Sequence, residues 1–154
     1  MQKLHISKHR AIQFKAILEL SKRLITLPIV ERLLHLCNTD DVAAYFKTRI
    51  GHLKHEELHV VLVDCRNKAI RIEMVAQGGL EGLSVHPREV FVTAIREAAA
   101  GIIMVHNHPS GDPEPSMADR ELTHRVRKAG ELVGIPLLDH VIVTTDKSQS
   151  ISCC

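Results

Sequence analysis

Aromatic side chains are scarce in this chain: there is no Trp, Tyr45 is the single tyrosine, and Phe14, Phe46 and Phe91 are the three phenylalanines. Proteins that hold single-stranded nucleic acid without sequence preference stack bases on aromatic rings, so that reading loses weight. Cysteine offers no framework either. Cys37, Cys65, Cys153 and Cys154 form no C-x-x-C, and adjacent Cys153 and Cys154 are badly placed to bridge each other. Free thiols in a reducing compartment are the natural reading. Neither sign of charge dominates: 20 Lys and Arg against 18 Asp and Glu leave a formal +2, which does not mark a nucleic-acid binder. Eleven histidines make the charge sensitive to pH near neutrality, although most, such as His5, His9, His35 and His52, are scattered. No apolar run approaches the roughly 20 residues that span a bilayer, and the first residues do not form a signal pattern. A soluble, cytoplasmic protein with no membrane partner is expected.

What is present reads as one α/β domain of 154 residues. Phe14, Ile17, Leu18 and Leu24 recur at helical spacing between Ser7 and Ile25, and Pro28 interrupts the segment. Asn38-Thr39-Asp40 resembles a helix cap, and Gly51 suits the end of that helix. Leu58 to Val63 is almost continuously apolar, as a strand buried on both faces should be. Arg66-Asn67-Lys68 predicts a hairpin turn into Ala69–Ala76, and another short strand is expected near Gly82–Val85. Pro87 suits the first turn of a helix whose inner face carries Phe91, Ala94, Ile95 and Ala98, with Gly101 following its end. Ile102–Val105 predicts a short strand. A helix from Ser116 to Val133 turns Leu122, Val126, Ala129 and Val133 inward and ends at Gly134, before a last strand over Leu137–Val143. Three regions result: a helical segment over residues 1–36, the domain proper over 37–143, and a polar, poorly ordered tail over 144–154.

The chemistry concentrates in His106-Asn107-His108-Pro109-Ser110-Gly111-Asp112-Pro113-Glu114-Pro115-Ser116-Met117-Ala118-Asp119. Residues i and i+2 of a strand point to one side, so His106 and His108 can aim both imidazoles at one point. The Gly/Pro loop lets the chain return, and Asp119 in the first turn of the next helix can close a third side. Two nitrogens and one oxygen leave a coordination position open, which separates a catalytic zinc site from a structural one. Each residue also has a plainer role. A histidine at a strand end is often just hydrogen-bonded, and Ser116-x-x-Asp119 resembles a capping box.

The run H-N-H-P-S-G-D-P-x-P-S-x-x-D resembles the JAMM (MPN+) metalloprotease motif in the form carried by the RadC-like family. The flanking segments His86-Pro87-Arg88-Glu89-Val90-Phe91, Ala98-Ala99-Ala100 and Leu137–Val143 resemble that family too, so the likeness covers about Asp40 to Val143. It implies a mixed sheet flanked by helices, a JAB/MPN sandwich like that of the cytidine deaminases. It also implies one Zn²⁺ per chain held by His106, His108 and Asp119, with the Ser116 hydroxyl stabilising the tetrahedral intermediate. Such a site needs an upstream glutamate as general base. Glu56 and Glu57 both precede the first strand and would face opposite sides of it. The resemblance favours Glu56; Glu57 is the reserve and Glu73 a distant third.

Two departures stand out. Longer relatives carry an N-terminal helix-hairpin-helix region, and this chain shows only the helix that would follow it, over Ala11–Arg23. After Val143 the family continues with a glycine and an aromatic-containing strand, which Thr144–Ser148 does not match. The expected function is a JAMM-type zinc hydrolase acting on a protein or peptide. The alternative is a DNA-repair-associated accessory protein whose metal domain is structural or partner-binding, with Lys3, Lys8, Arg10, Lys15, Lys22 and Arg23 contacting phosphates. A metal-dependent nuclease is the weakest reading, because one three-ligand site lacks a second carboxylate cluster. Oligomeric state stays open.

Overall fold

Seven consecutive residues, Gly101–Asn107, are buried without exception, and this strand (β3) is the middle of the molecule. The structure is a computed structural model that describes residues 8–26, 38–78 and 85–151. Around β3 lie β1 (Glu57–Val63), β2 (Ala69–Gln77), β4 (Leu137–Val143) and β5 (Ser148–Ser150), in the order β2-β1-β3-β4-β5. β1 runs antiparallel to both β2 and β3, β4 runs parallel to β3, and β5 returns antiparallel along β4. The helices are α1 (Lys8–Thr26), α2 (Thr39–Ile50), α3 (Pro87–Arg96) and α4 (Met117–Val133). The parallel step from β3 to β4 needs a crossover, and α4 supplies it.

Helices cover both faces of the sheet, which is why residues 60–63 of β1 and 102–105 of β3 are continuously apolar rather than alternating. On one face α2 lays Val42, Phe46 and Ile50 against Val61, Val63, Val105 and Val141. On the other, α3 and α4 bring Val90, Phe91, Ala94 and Val126 onto Leu58, Val60, Ile102 and Met104. Local signals fix the ends of these helices. The Asn38 side chain accepts from the Asp41 N–H at the start of α2, and Gly51 caps its end. Gly134, at φ 73°, closes α4 in the left-handed conformation that glycine adopts without strain.

Several expectations need correction. α3 stops at Arg96, and Ala98 turns the chain at φ 49°, so Ile95 and Ala98 are exposed while Val90 joins the buried face. Gly101 belongs to β3 rather than to the helix end. Val133 is exposed, and Thr123, Val126 and Gly130 form the buried line of α4. Residues 144–151 are not a loose tail: Thr144 and Lys147 close a turn into β5, and the buried Ile151 donates its N–H to His140 O at 2.7 Å; the rest of the expected tail lies outside the described residues. Pro28 and residues 82–84 of the expected short strand lie outside the described residues, as does the Leu24 side chain. On α1, Phe14, Ile17 and Leu18 are exposed. No helix among the described residues is long and apolar enough to cross a membrane.

Phe46 is 1 % exposed and meets Tyr45 edge-on and His59 at a tilt, so it anchors α2 to the sheet. Phe46→Ala should cost about 3–5 kcal/mol through lost transfer energy and an unfilled cavity. Urea unfolding checks this: a lower midpoint at unchanged slope is expected.

Candidate metal centre

His106 is the penultimate residue of β3 and points to the α3/α4 face, as Met104 and Ile102 do. His108 lies one step beyond the strand, yet its backbone is not loose. Its N–H donates to Val143 O at 3.0 Å and so continues the parallel ladder from β4. The loop then turns at Pro109-Ser110-Gly111, where Gly111 N–H bonds His108 O and Gly111 takes φ 82°. Ser116 caps α4 and Asp119 is its N3 residue, which carries the carboxylate back over the two imidazoles.

Two imidazole nitrogens and the two oxygens of one carboxylate converge there. His106 Nε2 and His108 Nε2 are 3.0 Å apart, His106 Nε2 and Asp119 Oδ1 3.2 Å, and His108 Nε2 and Asp119 Oδ2 3.4 Å. With one atom taken from each residue, the three candidate ligand atoms lie within 4.8 Å of one another, and ligands about 2.0–2.1 Å from a tetrahedral ion lie about 3.3 Å apart, so a turn of the Asp119 carboxylate would bring one oxygen to the third corner. His108 is also set in the right tautomer. Its Nδ1 is 2.8 Å from Asp112 O, a carbonyl that can only accept, so in the neutral ring the proton sits on Nδ1 and Nε2 carries the lone pair. Electrostatics agree. Burial acts to raise the Asp119 carboxyl, but hydrogen bonds to His106 and His108, the charge of His106 and the Ser116 bond outweigh it and hold the group far below the carboxylate range. The Asp119 hydrogen bond raises His108 against the opposing effect of burial. A place that favours positive charge between these side chains is what a cation requires.

The capping box is real as well. Ser116 Oγ accepts from Asp119 N–H at 3.1 Å, and Asp119 Oδ2 accepts from Ser116 N–H at 2.8 Å and from its hydroxyl at 2.6 Å. Ser116 therefore serves the helix end and touches the carboxylate at once. Of the three glutamates, Glu56 lines the same cleft of about 650 Å³ as His106, His108, Ser116 and Asp119. The β1–β3 register pairs Leu58 with His106, and Glu56, just before β1, lies near enough to His108 for its charge to act on that imidazole. Glu57 points to the α2 face, between His55 Nε2 (2.9 Å) and His59 Nε2 (2.8 Å). Burial acts to raise it, but these two histidines lower it further. Glu73 on β2 pairs with Arg71.

Three side chains went unassigned on sequence. Asn107 accepts from Glu57 N–H at 2.8 Å and donates to His55 O at 2.9 Å, clamping the backbone on both sides of Glu56. His140, fully buried on β4, places Nε2 2.8 Å from His106 Nδ1, and its Nδ1 meets Thr123 Oγ1 at 2.7 Å. A histidine inside the apolar run Leu137–Val143 was the available signal; Thr123 offered none.

The family profile described as RadC-like JAB domain matches residues 36–153, including the segment after Val143. A UPF0758 protein of Symbiobacterium thermophilum is 48% identical over 112 residues, which is 73% of this chain and 48% of that protein. A UPF0758 protein of Desulforamulus reducens is 42% identical over 142 residues, 92% of this chain and 62% of the relative. One from Methanosarcina acetivorans is 41% identical over 146 residues, 95% and 63% respectively. The chain thus spans about half to under two-thirds of the length of these relatives. With its profile matched across the whole mixed sheet and the histidine–aspartate cluster, the chain belongs to the RadC-like JAB domain family.

Proposed function

We propose that this domain is a zinc-dependent hydrolase of peptide or isopeptide bonds. The observation that carries the reading is the convergence of His106 Nε2, His108 Nε2 and the Asp119 carboxylate in an open cleft that Glu56 also lines. Mixed nitrogen and oxygen ligands suit zinc. Bound there, the ion supplies Lewis acidity and a water that ionises near neutral pH. Glu56, held at the cleft by the Asn107 clamp, takes the proton of the attacking water and passes it to the leaving amine. The Ser116 hydroxyl turns from Asp119 Oδ2 to donate to the developing oxyanion.

The cleft also favours a peptide over a nucleic acid. Its described lining carries Glu56, Asp112, Glu114, Asp119 and Glu121 against a single arginine, Arg125. A phosphodiester backbone meets repulsion there, so DNA association, the alternative reading, would have to use another surface. A second cluster suited to two-metal phosphoryl chemistry is absent among the described residues. The exposed free thiol of Cys65 fits a reducing, cytoplasmic setting.

Metal analysis by mass spectrometry of protein purified without chelator should find about one zinc per chain, and none in the His106→Ala/His108→Ala double variant. No metal in the parent, and none taken up on adding zinc, would falsify the hydrolase reading. With a cleaved peptide or isopeptide in hand, Glu56→Gln should lower kcat by about 10²–10⁴-fold while zinc content stays unchanged. Glu57→Gln should leave kcat near that of the parent, since its carboxylate lies on the far face. Equal losses in the two variants would remove Glu56 from its role. Ser116→Ala should cost about 1 kcal/mol of stability through the lost cap. It should also reduce kcat by about 10²–10³-fold if the hydroxyl binds the oxyanion. Thermal unfolding and steady-state kinetics separate the two effects.

A further inference from the structure

His106 reaches the centre with one imidazole nitrogen, and what decides its tautomer lies behind it. Nδ1 faces His140 Nε2 at 2.8 Å, His140 Nδ1 faces Thr123 Oγ1 at 2.7 Å, and Thr123 Oγ1 faces the main-chain oxygen of Asp119 at 2.6 Å. His106, His140 and Thr123 are all buried, so these bonds have to be satisfied among themselves. The directions follow from the far end. A carbonyl oxygen only accepts, so the single hydroxyl proton of Thr123 is committed to Asp119 O. The same hydroxyl must then accept from His140, which puts a proton on His140 Nδ1. In a neutral imidazole the other nitrogen carries a lone pair, so His140 Nε2 accepts from His106 Nδ1–H. His106 Nε2 is left with its lone pair facing His108 and Asp119.

We propose that Thr123 and His140 are positioning residues which fix the tautomer of His106 so that Nε2 is free to bind metal. The inference rests on His106 being a metal ligand. Geometry favours an uncharged His140: it is fully buried, and its two nitrogens face His106 and Thr123, neither of which brings a carboxylate to balance a charge. Ligating histidines usually donate their second nitrogen to a carboxylate, a carbonyl or water. Here a neutral imidazole takes that part, and a neutral imidazole has two tautomers, so it does the task only while Thr123 holds it in one of them. The chain starts at one ligand residue and ends on the backbone of another, since the Thr123 hydroxyl bonds one turn back to Asp119 within α4.

The test combines zinc affinity with direct observation of the tautomers. Long-range ¹H–¹⁵N correlation on the zinc-free parent at about pH 9, where ordinary imidazoles are neutral, should show His106 and His140 both protonated at Nδ1. This needs no variant to fold. Thr123→Val keeps the shape and removes the acceptor, so His140 should shift to the Nε2–H form. Its zinc affinity, measured by competition with a chromogenic chelator, should fall about 10- to 100-fold. Thr123→Ser, which keeps the hydroxyl, should restore both the tautomer and the affinity. A parent His106 protonated at Nε2, or a valine variant that binds zinc as tightly as the parent, overturns the relay alone. A parent that takes up no zinc at all overturns the metal reading together with it.

Discussion

β3 lies between β1, which runs against it, and β4, which runs with it, and both hydrogen-bond ladders have to close in one register. Every property of the centre depends on that. A slip of one residue would carry His106 to the α2 face and take it away from Asp119. Hydrophobic patterning does not forbid the slip by itself, because Ile102 and Met104 on one face and Ile103 and Val105 on the other are all apolar and all buried. The polar residues at the end of the strand break the tie. Asn107 fits between Glu57 N and His55 O, His106 meets His140, and His108 N–H finds Val143 O, each in one register alone. Buried polar groups without partners cost about 1–3 kcal/mol each, so the site residues also specify the sheet that carries them.

Helix α4 shows the same double use. Its N-terminus needs acceptors for backbone N–H groups, and Ser116 and Asp119 supply them as a reciprocal capping box. The partial positive charge of the helix start favours the Asp119 carboxylate for the same reason that two imidazoles do. Capping leaves Oδ1 facing His106 and turns Oδ2 toward both Ser116 and His108. The cap therefore fixes the direction of the carboxylate, and capping α4 and facing the two imidazoles are one arrangement of Ser116 and Asp119. β5 adds to this order. Gln149 bonds Glu114 in the loop before α4, and Ile151 bonds the backbone of His140, so these two residues brace both sides of the centre.

Much of this was legible in the residues. Asn38 and Gly51 bound α2 as their chemistry predicts, Leu137–Val143 is a strand to the residue, and H-x-H with a returning Asp119 does bring three donors together. The failures have a common cause. Ser148–Ser150 contains no apolar residue, so no periodicity marks it as a strand; it pairs because β4 offers an open edge and Ile151 has a buried place to fill. Ile95 and Ala98 fit a helical face on paper, but the left-handed turn at Ala98 ends the helix early. His140 and Thr123 are 17 residues apart and meet because α4 crosses back over β4. Contacts created by topology leave no local trace in sequence.

The opposite face of the sheet carries a useful contrast. His55, Glu57 and His59 comprise the same residue types as His106, His108 and Asp119, with Glu57 and His59 on β1 and His55 in the bend before it. Yet Glu57 sits between its histidines, giving one carboxylate oxygen to each Nε2. A carboxylate wedged between two imidazoles holds them apart and uses its acceptors on them, which makes an ion-paired bracket. At the other centre the two imidazoles come from one strand end and approach each other directly, and the carboxylate arrives from a separate helix along a third direction. Convergence of three separate donor groups, which the Gly/Pro loop makes possible by letting α4 return, is what distinguishes this cluster from the ion-paired bracket. Composition is identical in the two places, so the difference in what they can do lies wholly in how the backbone delivers the third residue.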